Sequence, residues 1–375
     1  MVELAEIVRI HGPEYLEKFG DRMPPSHKRA LEAIATCRTE ALGGHLWECD
    51  DSDCDNRRYS YHSCKDKSCP KCHTADTRRW LDKRRKELLP VSYFHVTCTL
   101  PEELRNITRS HQKTLYPILM SAAAEALMKL GADPRHVGGQ LAILAVLHTW
   151  NRTLGHHPHV HMLVPAGGMD KDGLWRPAKN RKYLVCERSL SKIFRAKFMA
   201  KAKKAFPEEC FPRELWNTDW VVKIKPPVRN PNKVLDYLGR YVKRIAIANS
   251  RILSLEDGMV TFRYQESDSR RWKTMRLTAM EFLRRFLNHV LPDGFHKVRY
   301  FGLWSPANRK NLKKVRQQLA DQGKTVKEEK QETPAPASDH LCPRCKKGVM
   351  VVIEWLPRAR SPPGTLLRKT EAQTR

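Results

Sequence analysis

The chain has 375 residues, enough to bury a sizeable core and to divide into two or three domains. Its 69 Lys and Arg outnumber 41 Asp and Glu, a formal net charge of +28 that points to a polyanionic partner. No apolar run reaches the ~18 residues that a membrane-spanning helix needs, and residues 1–10 carry two glutamates and no apolar stretch, so neither a membrane protein nor a secretory leader is expected. The eleven cysteines are therefore expected to be reduced and cytosolic, and their clustering favours metal over disulfides.

In chain order, residues 1–36 read as short helices broken at Pro13 and around Pro24-Pro25, with a helical pattern over 27–35. Cys37, His45, Cys49, Cys54, Cys64, Cys69 and Cys72 follow, with Cys69-Pro-Lys-Cys72 as a knuckle. Thiolates and an imidazole at this density are the ligands that tetrahedral zinc prefers. The spacing suggests Cys49 and Cys54 on one knuckle facing Cys69 and Cys72 on the other. Cys37 and Cys64 are left to join His27 or His45 at a second site. One zinc ion or two remains open, and spacing does not fix the pairing. Metal would supply much of the folding energy of so short a module. Arg57, Arg58, Lys65, Lys67 and Lys71 surround the cysteines and suit contact with nucleic acid, as does the basic amphipathic helix expected at 77–89.

A β-branched strand at 91–100 ends at Pro101, a helix covers 112–130, and an apolar strand covers 141–150. The next strand carries His156-His157-Pro158-His159-Val160-His161. Side chains alternate along a strand, so His159 and His161 share one face and Val160 enters the core. Two imidazoles on one face are half of a divalent-metal site. If the two strands pair antiparallel, His148 becomes the third ligand; His157, His156 and His95 are the alternatives. Gly167-Gly168 ends the strand. A hairpin at 169–175, a basic helix at 189–206 and a strand at 220–225 complete this stretch.

A helix follows, with Tyr237 and Tyr241 at i,i+4 on one face and Val234, Leu238, Val242 and Ile245 available to pack. Arg240, Lys243 and Arg244 put positive charge beside the phenols and are candidate DNA contacts. A tyrosine can attack a DNA phosphodiester and retain the 5′ phosphate. A hairpin at 258–264 and 271–277, a helix at 278–290 and a strand at 295–303 come next. A basic helix at 312–318 leads into a polar linker at 321–340. Cys342-Pro-Arg-Cys345 is half of a zinc ribbon with no second half nearby; it is read as a remnant or an incomplete site, with His340, a distant ligand or a second chain as the alternatives that would complete it, and 361–375 reads as unstructured.

Together these stretches resemble the two-tyrosine HUH transposases of the IS91 type. The matching residues are Cys37-Arg-Thr, Leu42-Gly-Gly-His45, Tyr61-His-Ser-Cys64, Cys69-Pro-Lys-Cys72, Tyr93-Phe-His-Val, Leu147-His-Thr-Trp150, His157-Pro-His-Val-His161, Tyr237-Leu-Gly-Arg-Tyr241, Phe282-Leu-Arg-Arg-Phe286 and Phe295-His-Lys-Val-Arg-Tyr-Phe-Gly302. The resemblance implies an α+β fold, with an antiparallel-sheet HUH nuclease domain flanked by helices and a small N-terminal zinc-binding module. It implies Mg²⁺ or Mn²⁺ at His159 and His161, Tyr237 and Tyr241 as nucleophiles, and single-stranded or hairpin DNA ends as substrate. It also implies a host helicase as a further partner and a bacterial cytoplasm, beside the nucleoid, as the location. Where the family often has Gly-Gln after the Trp150 position, this chain has Asn151-Arg152. The expected divisions are 1–90 (zinc and DNA recognition), 91–305 (transposase domain), 306–340 (basic helix and linker) and 341–375 (Cys-x-x-Cys tail). Rolling-circle-like transposition is the activity expected. A replication initiator or relaxase, and a non-catalytic zinc-dependent DNA-binding protein, are the alternatives.

Overall fold

The computed structural model describes residues 2–72, 74–180, 182–228, 230–242, 246–266, 269, 271–324 and 341–359. Most of the expected linker, and all of the tail at 361–375, lie outside the described residues.

In chain order the helices and strands are α1 (Leu4–Phe19), α2 (Pro25–Thr36), β1 (Gly44–Cys49), β2 (Arg57–Tyr61), α3 (Thr74–Arg85) and β3 (Tyr93–Thr99). Then come α4 (Arg105–Ser110), α5 (Gln112–Gly131), β4 (Gln140–Trp150), β5 (His156–Pro165), β6 (Gly167–Met169), β7 (Trp175–Pro177), α6 (Glu187–Ala205) and α7 (Glu214–Asn217). The remainder are β8 (Val222–Val228), α8 (Pro231–Val242), β9 (Ile252–Glu256), β10 (Met259–Gln265), β11 (Trp272–Thr278), α9 (Ala279–Leu287), β12 (Val298–Gly302), α10 (Arg309–Asp321) and β13 (Met350–Leu356). The α+β class and the antiparallel sheets agree with what the family resemblance implied. The break expected at Pro13 does not occur, because α1 runs through it. Burial of Leu4, Ile7, Val8 and Tyr15 along that helix outweighs one missing backbone hydrogen bond.

The chain forms two compact units, and the division differs from the one the sequence suggested. The first unit combines residues 1–74 with 247–290 and 327–375. Here α1 packs on α2 and on α9, and the Leu4 amide donates to Asn249 Oδ1 at 3.2 Å. These contacts draw the β9–β11 sheet and α9 to the N-terminal segment, although their sequence position suggested the transposase domain. Thr278 caps α9 by accepting from the Glu281 amide at 3.2 Å, a serviceable N-cap. A second small sheet has the order β13-β1-β2, so a strand from the C-terminal segment pairs with the first strand of the chain.

The second unit combines residues 75–246 with 291–326. Its antiparallel sheet runs β7-β6-β4-β5-β3-β8, and β12 also pairs with β4. Alternation divides the sheet into two faces. One face carries Phe94, Val96, Cys98, Ile143, Ala145, Leu147, Val160 and Met162, buried under α5 and α6. Phe194 and Phe198 of α6 meet Trp220 there, with ring centroids 5.2 and 5.4 Å apart. The other face carries Tyr93, Leu144 and Leu163, packed against Leu235 of α8, Leu88 and Leu89 after α3, and Leu312, Val315 and Leu319 of α10. By the same alternation His95, His148, His159 and His161 belong to this second face.

Replacing Phe194 with Ala removes a fully buried ring. The expected loss is about 3–5 kcal/mol of stability in urea unfolding. A loss below about 1 kcal/mol would show that α6 does not hold the first face closed.

Candidate active site and metal centres

In the second unit the antiparallel register sets His148 of β4 opposite His159 of β5, and Val146 opposite His161. On the other side of β5, Thr97 pairs with His161 and Thr99 with His159. One nitrogen from each of His148, His159 and His161 lies within 4.8 Å of the other two. The structure thus joins the sequence's histidine pair to His148. His157 turns to Arg105, whose Nη2 lies 3.3 Å from His157 Nδ1, and His156 meets the Tyr116 hydroxyl at 2.9 Å.

The hydrogen bonds orient these rings. His159 Nδ1 donates to the His157 carbonyl at 2.7 Å, which leaves the lone pair of the neutral ring on Nε2. His161 Nδ1 lies 2.8 Å from His95 Nε2 and 3.0 Å from Thr97 Oγ1, so its Nε2 points the other way, 3.1 Å from His159 Nε2. A metal–donor distance of about 2.1 Å places neighbouring corners of an octahedron about 3.0 Å apart. The His159–His161 spacing therefore fits two ligands of one divalent ion, and His148 stands close enough to supply a third imidazole. Asn151, at the departure from the family pattern, is a turn residue. Its Oδ1 accepts from the Thr153 amide, the Thr153 hydroxyl and the Gly155 amide at 2.7 to 3.0 Å, closing the β4–β5 connection.

Helix α8 carries Tyr237 and Tyr241 and lies against β3, β4, β5 and β8. Two contacts join it to α3. Arg85 Nη2 donates to Asp236 Oδ1 at 2.7 Å, and Gly239 lies so close to Leu81 that an added Cβ would fall 2.6 Å from Leu81 Cδ2. The side chains of Tyr237, Arg240 and Tyr241 lie outside the described residues, as do Lys243 and Arg244 altogether.

In the first unit the cysteines group otherwise than their spacing suggested. Cys69 and Cys72 join Cys37 and Cys64, while Cys49 and Cys54 join Cys342 and Cys345. In the first cluster the Cys37–Cys72, Cys64–Cys72 and Cys37–Cys69 sulfur distances are each 3.6 Å. Cys37 reaches the cluster from the C-terminal end of α2, and Cys64 from the loop after β2. His45 belongs to neither cluster. It sits on β1, with its ring edge-on to those of His62 and Trp355, at 4.8 and 4.3 Å. The reason is strand geometry: β1 ends at Cys49, and its pairing with β13 occupies the His45 position opposite Trp355.

Comparison with known proteins gives these sites a context. Residues 7–100 match a transposase zinc-binding domain, and residues 142–313 match a family of putative transposases. A putative transposase of Sinorhizobium fredii is 38% identical over 392 residues, spanning 96% of this chain and 97% of that protein. The chain belongs to the IS91-type transposases. The transposase for insertion sequence element IS801 of Pseudomonas savastanoi pv. phaseolicola is 27% identical over 289 residues, 72% of this chain and 68% of that protein. No solved structure matches the chain. This transposase therefore has DNA as its partner and zinc in its N-terminal module. Among its described residues no helix is long and apolar enough to cross a membrane.

Sequence reasoning missed one feature of the transposase and left another undecided. One is the cationic surround of the histidines: Lys297 beside β12, its ammonium 4.7 Å from the Trp150 ring, and Lys225 on β8. Both raise the positive potential at His161, and burial holds the Lys297 ammonium down to about 7. The spacing of Phe295-His-Lys297-Val-Arg could have drawn attention to it, but only the pairing of β12 with β4 brings it to the site. The other is the choice of partner for Cys342 and Cys345: a distant ligand stood among the sequence's alternatives, but only the fold brings Cys49 and Cys54 to them.

Burial holds His95 and His159 down to about 4, and holds His148 and His161 well below the ordinary imidazole range. At neutral pH all four rings are uncharged, as metal ligation requires. Below the ordinary value of 6.5 the unfolded chain takes up protons at these rings and the folded chain does not. Stability is therefore full above 6.5 and falls as the pH drops towards about 4. Urea unfolding in EDTA should show this fall, and His95→Gln should make it shallower. A midpoint constant across that window would mean that the rings charge freely in the folded state.

Proposed function

We propose that this transposase nicks and rejoins single DNA strands through 5′-phosphotyrosine intermediates, in a rolling-circle-like transposition. The observation that carries the reading is the convergence of three imidazole nitrogens on the sheet face against which the tyrosine-bearing helix α8 packs. His148, His159 and His161 would hold the divalent ion. Three nitrogen donors suit Mn²⁺ better than the harder Mg²⁺. When bound, the ion polarises the scissile phosphate and stabilises the departing 3′ oxygen.

The chain's own groups account for the remainder. The phenol oxygen of Tyr237 or Tyr241 attacks phosphorus, the P–O3′ bond breaks, the phenol proton is lost and the 3′ oxygen gains one. Two phenols at i,i+4 allow two such transfers in succession, and the free 3′ hydroxyl reverses the step at a new junction. Lys225, Lys297 and Arg105 supply positive charge around the strand's phosphates. His95 and Thr97 hold the His161 ring in its tautomer from behind.

The test is a labelled single-stranded oligonucleotide from the element's end, incubated with the protein and Mn²⁺ or EDTA, then run on a denaturing gel. A labelled band at protein mass is expected with metal, absent with EDTA and absent in the Tyr237→Phe, Tyr241→Phe double variant. Tight binding with no adduct would instead support a DNA-binding protein without nuclease activity. The His159→Ala variant should lose cleavage by at least a hundredfold and keep its full zinc content. Zinc loss in that variant would place zinc, not the divalent ion, at the histidines.

A further inference from the structure

The second cysteine cluster lies partly outside the zinc-binding domain matched at residues 7–100, because two of its four sulfurs come from the far end of the chain. We propose that Cys49, Cys54, Cys342 and Cys345 hold a second zinc ion, and that this ion clasps the C-terminal segment 341–358 onto the N-terminal zinc-binding module.

The geometry is that of a closed tetrahedral site. The Cys49–Cys345 and Cys54–Cys342 sulfur distances are both 3.7 Å, and all four sulfurs lie within 4.8 Å of one another. A Zn–S bond of about 2.3 Å sets the edge of a thiolate tetrahedron at about 3.8 Å. Disulfide sulfurs would stand about 2.05 Å apart, and all four cysteines are free. The site matches the first cluster, whose edges are 3.6 Å.

Hydrogen bonds favour thiolates at Cys342 and Cys345. Asn56 Nδ2 donates to Cys342 Sγ at 3.3 Å, and the amides of Lys347 and Gly348 donate to Cys345 Sγ at 3.4 and 3.3 Å. The knuckle turns back on itself, with the Lys346 amide on the Cys342 carbonyl at 2.9 Å and the Cys342 amide on the Gly348 carbonyl at 2.8 Å. Gly348 is required by close approach: an added Cβ would fall 2.5 Å from Cys49 Sγ and 2.7 Å from Asp51 Cβ.

The sulfurs terminate an extended interface. β13 pairs with β1 from Gly44↔Leu356 to Cys49↔Met350. The Asp50 amide donates to the Val349 carbonyl at 3.0 Å, and the Val349 amide returns to Asp50 Oδ1 at 2.6 Å. Arg344 pairs with Asp55. The apolar content is small, with Cys49, Cys342 and Met350 buried while Val351, Val352, Ile353 and Trp355 stay exposed. So little buried surface cannot hold a distant segment by itself, whereas a four-thiolate zinc site can supply that free energy directly.

The experiment is zinc analysis of the full-length protein purified from zinc-supplemented cells, with free thiols counted by mass spectrometry. Two zinc ions per chain are expected for the native protein. One is expected for Cys342→Ser, Cys345→Ser, and one for Cys69→Ser, Cys72→Ser. Gly348→Val keeps every ligand but should release one of its two ions to a competing chelator at least tenfold more readily. One zinc in the native protein, two in the Cys342→Ser, Cys345→Ser variant, or disulfides among these four cysteines would overturn the proposal. If a serine variant fails to fold, cobalt titration of the zinc-stripped native chain decides instead. Saturation of the thiolate charge-transfer band at two equivalents supports the clasp, and saturation at one refutes it.

Discussion

Antiparallel pairing of β4 with β5 is the constraint on which the candidate site depends. Alternation forces His159 and His161 onto one face, and the register then selects His148 as the residue standing beside them. A slip of one residue would turn His148 into the apolar layer beneath α5 and bring Leu147 to the histidines. The opposite face resists such a slip, because Val160, Met162, Ala145 and Leu147 are fully buried there in an apolar core that would have to accept an imidazole. Core packing on one side of the sheet thus fixes the ligand geometry on the other.

The same burial prepares the site chemically. Imidazoles withdrawn from water stay neutral, and the carbonyl of His157 and the side chains of His95 and Thr97 orient their lone pairs. Lys225 and Lys297 add positive charge nearby, unfavourable to protonated histidine and favourable to a phosphodiester. The arrangement suits the proposed strand transfer, in which a polyanion must approach three uncharged nitrogens.

The first unit solves a different problem. Its β13-β1-β2 sheet encloses little apolar surface, and its cysteines stand at tetrahedral spacing in two groups. Metal coordination is directional and strong, so it can organise loops that a small core could not. That is also why residues distant in sequence can complete one another's ligand set: the ion requires four sulfurs in space and is indifferent to their order along the chain.

Local patterns sufficed for much of the protein. The 2-residue spacing of His159 and His161, the i,i+4 spacing of Tyr237 and Tyr241 and the zinc-rich N-terminal segment are legible from neighbouring residues, because strand and helix periodicities act over a few positions, while the α+β class came from the resemblance that these motifs carry together. Tertiary structure alone decided what lay between distant segments. It grouped Cys49 and Cys54 with Cys342 and Cys345, left His45 out of both clusters, joined β9–β11 and α9 to the N-terminal unit, and brought Lys297 to the histidines. Spacing records what one element can present, but the partner of a sulfur or an edge strand is chosen by packing and register across the whole fold.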